Sequence, residues 1–213
     1  MDLIFTLISL FILVYSAILH EIAHGLVAER LGDPTARLMG RLTLNPKNHI
    51  DPMMSIALPL ILIFSGSPII FGAAKPVPVD PFNFREPRKD MSLVSLAGPG
   101  ANLLIAILCA IFLKIWTGIA IYGGYGAFVE WFLVTAVRLN LLLAIFNLIP
   151  LPPLDGSKIF SLILPEKEAA VYLSIGSIGI FIIFFLLLVP IGGFSLGSVI
   201  GNLLTFSEHL LGL

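Results

Sequence analysis

Two histidines and a glutamate occupy positions 20, 24 and 21 within "SAILHEIAHGLVAERLG", residues 16 to 32. On a helix, residues four apart lie on one face about a turn from each other. His20 and His24 can therefore grip one zinc ion while Glu21 reaches the water beside it as general base. That is the chemistry of metal-assisted hydrolysis. The surrounding residues are those of a membrane-spanning helix, and ionisable side chains at membrane depth are expensive enough to read as functional by default. Satisfied packing histidines are the bland alternative, and the spacing and the apolar setting both argue against it.

A catalytic zinc has three protein ligands and an open position, so a third ligand must come from elsewhere. The extended pattern with a further histidine is absent, because Arg30 stands in its place and Val27 where its glycine would be. Asp33, Asp80, Glu86, Asp90, Glu166 and Glu168 lie in charge-rich loops and read as solvated surface charges. Asp155 differs. It sits in "FNLIPLPPLDG", where Pro150, Pro152 and Pro153 forbid continued helix and Gly156 frees the next backbone step. An unwound segment of this kind can aim a carboxylate sideways into a bundle; the competing reading is a helix cap for residues 156 onward.

Three further residues are candidates. Asn102 lies a few turns into an apolar segment behind Gly98, Pro99 and Gly100, where an amide must find hydrogen bonds. It either donates to the substrate oxyanion or ties helices together. Asn147, eight residues before Asp155, poses the same choice. His49, in "NHIDP", either faces the metal or water path or serves as a surface or capping residue.

The elements that must position these residues are long apolar segments. The 213 residues are 58% hydrophobic and only 12% charged, with a mean hydropathy of +1.04. An ordinary soluble domain carries about 25% charged residues, so the composition is that of an integral membrane protein. The net charge of -1 excludes a nucleic-acid binder, which needs clustered basic residues in excess. Cys109, the single cysteine, has no partner for an intrachain disulfide and reads as a small packing residue.

A spanning helix needs roughly 20 apolar residues. Stretches 3–27, 91–115, 128–149 and 171–190 meet this, and 53–72 and 191–213 bring the expected total to between four and six. Pro59 and "SGSP" at 65–68 would turn 53–72 into a re-entrant hairpin, whereas 191–213 reads as a sixth span or an interfacial helix. The first segment has neither a basic leader region nor a cleavage site, so it reads as retained. Arg30, Arg37, Arg41 and Lys47 in one loop and Lys75, Arg85, Arg88 and Lys89 in the next place both on the cytoplasmic side, which the hairpin reconciles. The uncharged connection 117–127, flanked by Trp116, Tyr122, Tyr125 and Trp131, reads as the outer interface. On this topology His20, His24, Asn102, Asn147 and Asp155 reach a similar depth. The stretch 35–46 suggests short strands whose edge could pair with an unwound substrate.

The motif "HEIAH", the intermediate "AGPGAN" at 97–102 and the downstream "NLIPLPPLDG", in that order on three hydrophobic segments, resemble the site-2 protease family of intramembrane zinc metalloproteases. The resemblance runs to about residue 160, and "GDPTARLMGRLTLNPKNHIDP" at 32–52 is similar to the small prokaryotic branch. It implies His20, His24 and Asp155 as ligands of one Zn2+, Glu21 as catalytic base, and Asn147 close to the active site. It also implies transmembrane protein substrates cut in or near their spanning segments, in a multi-pass protein of the cell inner or plasma membrane with its active site towards the cytoplasm. The expected fold is an all-α polytopic membrane protein, a single domain over 1–213 with a catalytic core at about 1–160 and C-terminal helices at about 170–213. It departs from larger relatives in showing no PDZ-like or nucleotide-sensing domain. A metal-transporting or metal-handling protein is the alternative, and an idle member that binds transmembrane partners a second; the outer halves of the helices carry almost none of the successive polar sites that transport requires.

Overall fold

The first helix, α1 (Leu3–Leu31), has no proline and no glycine before Gly25, which lets 29 residues run unbroken. At 1.5 Å per residue it is about 44 Å long, enough for a hydrocarbon core of roughly 30 Å. The structure, a computed structural model, describes residues 3–57, 61, 64, 74–119, 126–176, 178–193 and 195–213. After α1 come α2 (Thr35–Leu38), α3 (Pro87–Ile119), α4 (Gly126–Asn147), α5 (Asp155–Phe160), α6 (Glu166–Ser174), α7 (Ile178–Leu188) and α8 (Leu196–Leu211). Single helical turns at Pro46–His49 and Pro81–Asn83 punctuate the connections.

Among the described residues three helices, α1, α3 and α4, are long and apolar enough to cross a membrane, and a fourth crossing results if α6 and α7 form one broken span. Only 22–33% of the residues in their apolar windows are buried. Leu3, Leu7 and Phe11 on α1 and Leu104, Leu108 and Ile115 on α3 are more than half exposed. Such surfaces need lipid as their solvent, and the chain is an all-α polytopic membrane protein. The helices are held together by small residues where backbones approach: Ala106 and Ala110 of α3 pack on Val137 and Leu141 of α4. Ala28 of α1, Val94 of α3 and Phe84 of the preceding loop form a second cluster. Ile183, Leu196 and Ile200 join α7 and α8 beneath the 145–154 turn.

Several expectations change. Residues 35–46 form no strand: Thr35–Leu38 is helical, and the chain then turns at Gly40 with φ +64°. The reason is the Asp33 carboxylate, which accepts the Thr35 N–H at 3.1 Å and the Thr35 hydroxyl and so starts a helix. Arg41 N–H closes it on the Ala36 carbonyl at 2.9 Å. One helical turn is too short to show its period in sequence, and with no strand there, 35–46 offers no edge for substrate. The expected span 171–190 is two helices, α6 and α7, bent by 73°, with Gly176 at φ +47° between them. The apolar stretch 191–213 yields the 16-residue α8, which packs on α4 and α7. The expected re-entrant hairpin at 53–72 falls largely outside the described residues, as do 120–125 of the interfacial connection, while α3 itself runs on to Ile119.

Asp33 and Asp90 are not solvated. Asp33 is fully buried, and its carboxylate also accepts the Asp80 N–H and the Asn83 amide, both at 2.8 Å. Asp90 is buried and accepts the Glu86 N–H at 3.0 Å, closing the first turn of α3.

Candidate metal centre

The centre lies where α1, α3 and the start of α5 meet. His20 and His24 stand one turn apart on α1, ring edge to ring face, with their Nε2 atoms 3.0 Å apart. Asp155 opens α5 after the proline-broken turn and places Oδ2 3.2 Å from each Nε2. It is the first helical residue, so its side chain is free of the capping role the sequence left open; the flanking cap is Leu154, without a side-chain bond. All three are more than nine-tenths buried. The Lys158 ammonium, 3.4 Å from Asp155 Oδ1, favours the ionised carboxylate.

The remote ring nitrogens are both engaged. His24 Nδ1 donates to the Val94 carbonyl at 2.6 Å and His20 Nδ1 donates to Asn102 Oδ1 at 2.6 Å. With the protons there, each Nε2 presents a lone pair, as in metal sites whose second hydrogen bond fixes ring and tautomer. Two bare nitrogens and a carboxylate oxygen then face one another at 3.0–3.2 Å, an arrangement that is repulsive until a cation sits among them. A tetrahedral zinc with bonds of about 2.0–2.1 Å separates its ligand atoms by about 3.3 Å. The donor set fits.

Glycine makes room for it. A methyl group on Gly98 of α3 would lie 2.5 Å from Nε2 of both histidines. One on Gly156 would lie 2.2 Å from the Leu148 carbonyl oxygen, so the return of the chain that delivers Asp155 requires glycine there. Glu21 is half-buried, and its Oε2 accepts the Val77 N–H at 2.7 Å. Val77 belongs to the proline-rich stretch "KPVPVDPFNFREP", 75–87, which Arg41 holds by donating to the Lys75 and Pro76 carbonyls at 2.7 and 3.1 Å.

The other candidates are placed differently. Asn102 is fully buried, and its Nδ2 donates to Asn140 Oδ1 at 2.9 Å and to the Ser16 carbonyl at 3.3 Å. Asn147, the last residue of α4, donates to the Leu143 carbonyl at 3.0 Å. His49 is buried, and its Nε2 donates to the Thr43 carbonyl at 2.8 Å. Among the described residues the group able to hold a metal is His20, His24 and Asp155, without His49.

A zinc metalloprotease of Bacillus subtilis (strain 168), provisionally so named and called YwhC, is 38% identical over 186 residues, covering 86% of this chain and 81% of its own length. The chain belongs to peptidase family M50, the site-2 proteases. The family's sequence profile matches residues 117–190, the part that carries Asp155. Two further relatives, both provisionally named zinc metalloprotease Rip2, come from Mycolicibacterium smegmatis at 37% identity and Mycobacterium tuberculosis at 36%. Each match covers 66% of this chain and 51% of the relative, so the chain spans about half the length of those two. No solved structure matches. The M50 membership supports Zn2+ as the cofactor, and the cluster of His20, His24 and Asp155 is able to bind a metal. In this M50 chain the sequence reasoning missed Val94, Val77, Asn140 and Ser16. The first two act through backbone groups that no residue letter announces; the other two could have been found as polar residues on otherwise apolar helices, the same signal that singled out Asn102.

Proposed function

We propose that the chain hydrolyses peptide bonds in or near the transmembrane segments of membrane-protein substrates, with His20, His24 and Asp155 holding one Zn2+ and Glu21 as the base. Family membership carries the class, an intramembrane zinc metalloendopeptidase. The residue assignment is carried by one observation, the convergence of two imidazole nitrogens and one carboxylate oxygen at 3.0–3.2 Å. Held by His20, His24 and Asp155, a zinc ion would supply Lewis acidity that makes a water acidic enough to give up its proton near neutral pH. Glu21 takes the proton of that water and passes it to the leaving amine. Asn102 and the Val94 carbonyl keep the imidazoles aimed. Asn147, whose amide gives one hydrogen to Leu143 and keeps the other, is the donor we assign to the oxyanion. The burial of the three ligands excludes bulk water, which strengthens every charge interaction at the site.

The membrane topology belongs to the same proposal. His20 lies eleven residues, about 16 Å, inside the Leu31 end of α1, and the basic loops at 30–47 and 75–89 support a cytoplasmic side for that end. On this reading residues 1–213 act as one protease domain in the cell inner or plasma membrane. Metal handling without hydrolysis, the alternative left by the sequence, is not favoured by a peptidase family.

The test is the zinc content of protein purified in detergent, for the wild type, Asp155→Ala and Glu21→Gln, with cleavage of a model transmembrane substrate read from the same samples. The expected result is about one zinc per chain in wild type and Glu21→Gln, loss of zinc in Asp155→Ala, and cleavage by wild type alone. Zinc retained without Asp155 overturns the ligand set, and cleavage by Glu21→Gln overturns the base.

A further inference from the structure

We infer that Asn140 is a positioning residue for the zinc site: acting through Asn102, it dictates which ring nitrogen of His20 carries the proton. This rests on the zinc reading above and adds to it a control two side chains deep. An amide is ambiguous, since turning it over exchanges donor and acceptor. If Asn102 presented its nitrogen to His20, the imidazole would hold its proton on Nε2 and lose the lone pair that faces Asp155 and His24. The neighbours of Asn102 remove the ambiguity.

The chain of constraint starts from groups that can only accept. Asn140 Nδ2 lies 2.9 Å from the Ala136 carbonyl oxygen, one turn back on α4. Reversed, the Asn140 oxygen would abut that carbonyl, so the nitrogen must point there, and it also donates to Ser16 Oγ at 2.9 Å. Asn140 Oδ1 is thereby turned towards Asn102, which can answer only with its own nitrogen, at 2.9 Å. The Ser16 carbonyl, 3.3 Å from the same nitrogen, makes the same demand. Asn102 Oδ1 is left facing His20 Nδ1 at 2.6 Å, which must then carry the hydrogen. Ser16, Asn102 and Asn140 are at most 4% exposed, so water does not relax the sequence of donors and acceptors. His24 reaches the same tautomer in one step, through the Val94 carbonyl. His20 has no backbone carbonyl on Nδ1, and the two asparagines relay one to it.

The test is zinc affinity, measured by competition with a chelator in detergent, for wild type, Asn140→Leu, Asn102→Leu and the double variant, with thermal unfolding of the zinc-free proteins alongside. Loss of a partner that orients a ligand lowers metal affinity by about 10–100-fold. Each single variant is expected to fall in that range, and the double variant to bind no more weakly than Asn102→Leu alone, because Asn140 acts only through Asn102. Asn140→Gln keeps both an accepting oxygen for Asn102 and a donating nitrogen, and is expected to retain more affinity than Asn140→Leu; it carries the test if Asn140→Leu does not fold. Undiminished affinity in Asn140→Leu, an equal further loss in the Asn102→Leu background, or a loss in Asn140→Gln as large as in Asn140→Leu overturns the inference. Wild-type protein that binds no zinc strikes the zinc reading itself.

Discussion

Gly98 sits inside α3, where alanine would favour the helix by roughly 0.5–1 kcal/mol, yet a methyl group there would press on both imidazoles at 2.5 Å. Gly98→Ala is therefore expected to leave the protein folded and to lower zinc affinity at least tenfold, the scale on which displaced ligands are felt. Chelator competition checks it, and unchanged affinity would mean that the rings yield without cost. Asp33 makes the complementary case outside the spanning segments. Burial pushes its carboxyl up, while the bonds donated by Thr35, Asp80 and Asn83 outweigh burial and hold it below the ordinary carboxylate range. A depressed carboxyl contributes stability above its unfolded value of about 3.9, and that contribution is lost as pH falls through the lower folded value. Asp33→Asn, which sets an amide nitrogen against donors, is expected to cost about 1–3 kcal/mol at neutral pH. The gap from wild type should narrow below about pH 4; a constant gap into acid would show that the charge plays no part.

At the scale of elements, α7 bears on the site without contributing a ligand. Its Gly179 lies so close to the turn ahead of α5 that an added methyl group would stand 1.7 Å from the Pro152 carbonyl oxygen. Gly179→Ala must push α7 away from the segment that delivers Asp155. The expected outcome is a loss of about 1–3 kcal/mol, the usual cost of overpacking, together with weakened zinc retention. A variant that loses stability but holds zinc as tightly as wild type would uncouple α7 from the site. The elements also show what was legible beforehand. α1, α3 and α4 were readable because their apolar runs are long, and Asp155 because three prolines isolate it from any helix before it. α2 was missed because one turn of helix leaves no period, and the bend between α6 and α7 because Gly176 is a single letter within an apolar run. The reason for Gly98 could not be read locally: it resides in two rings on another helix.

For the whole molecule, lipid covers the outer faces of α1 and α3 while the polar residues converge inside, so a substrate helix must surrender its internal hydrogen bonds before a carbonyl can reach the site. Replacing a helix-breaking glycine near a substrate's cleavage site by leucine is expected to slow cleavage about fivefold, from the ~1 kcal/mol by which glycine disfavours helix. Unchanged rates in a membrane-reconstituted assay would sink the unwinding proposal. The hold of the proline-rich stretch on Glu21 has a different reach. It is exerted by the main chain at Val77, between Pro76 and Pro78, so nineteen of the twenty amino acids could supply it and only a third consecutive proline would withdraw it. A change of side chain at Val77 is thereby felt in its own buried packing, while the grip on Glu21 stays constant.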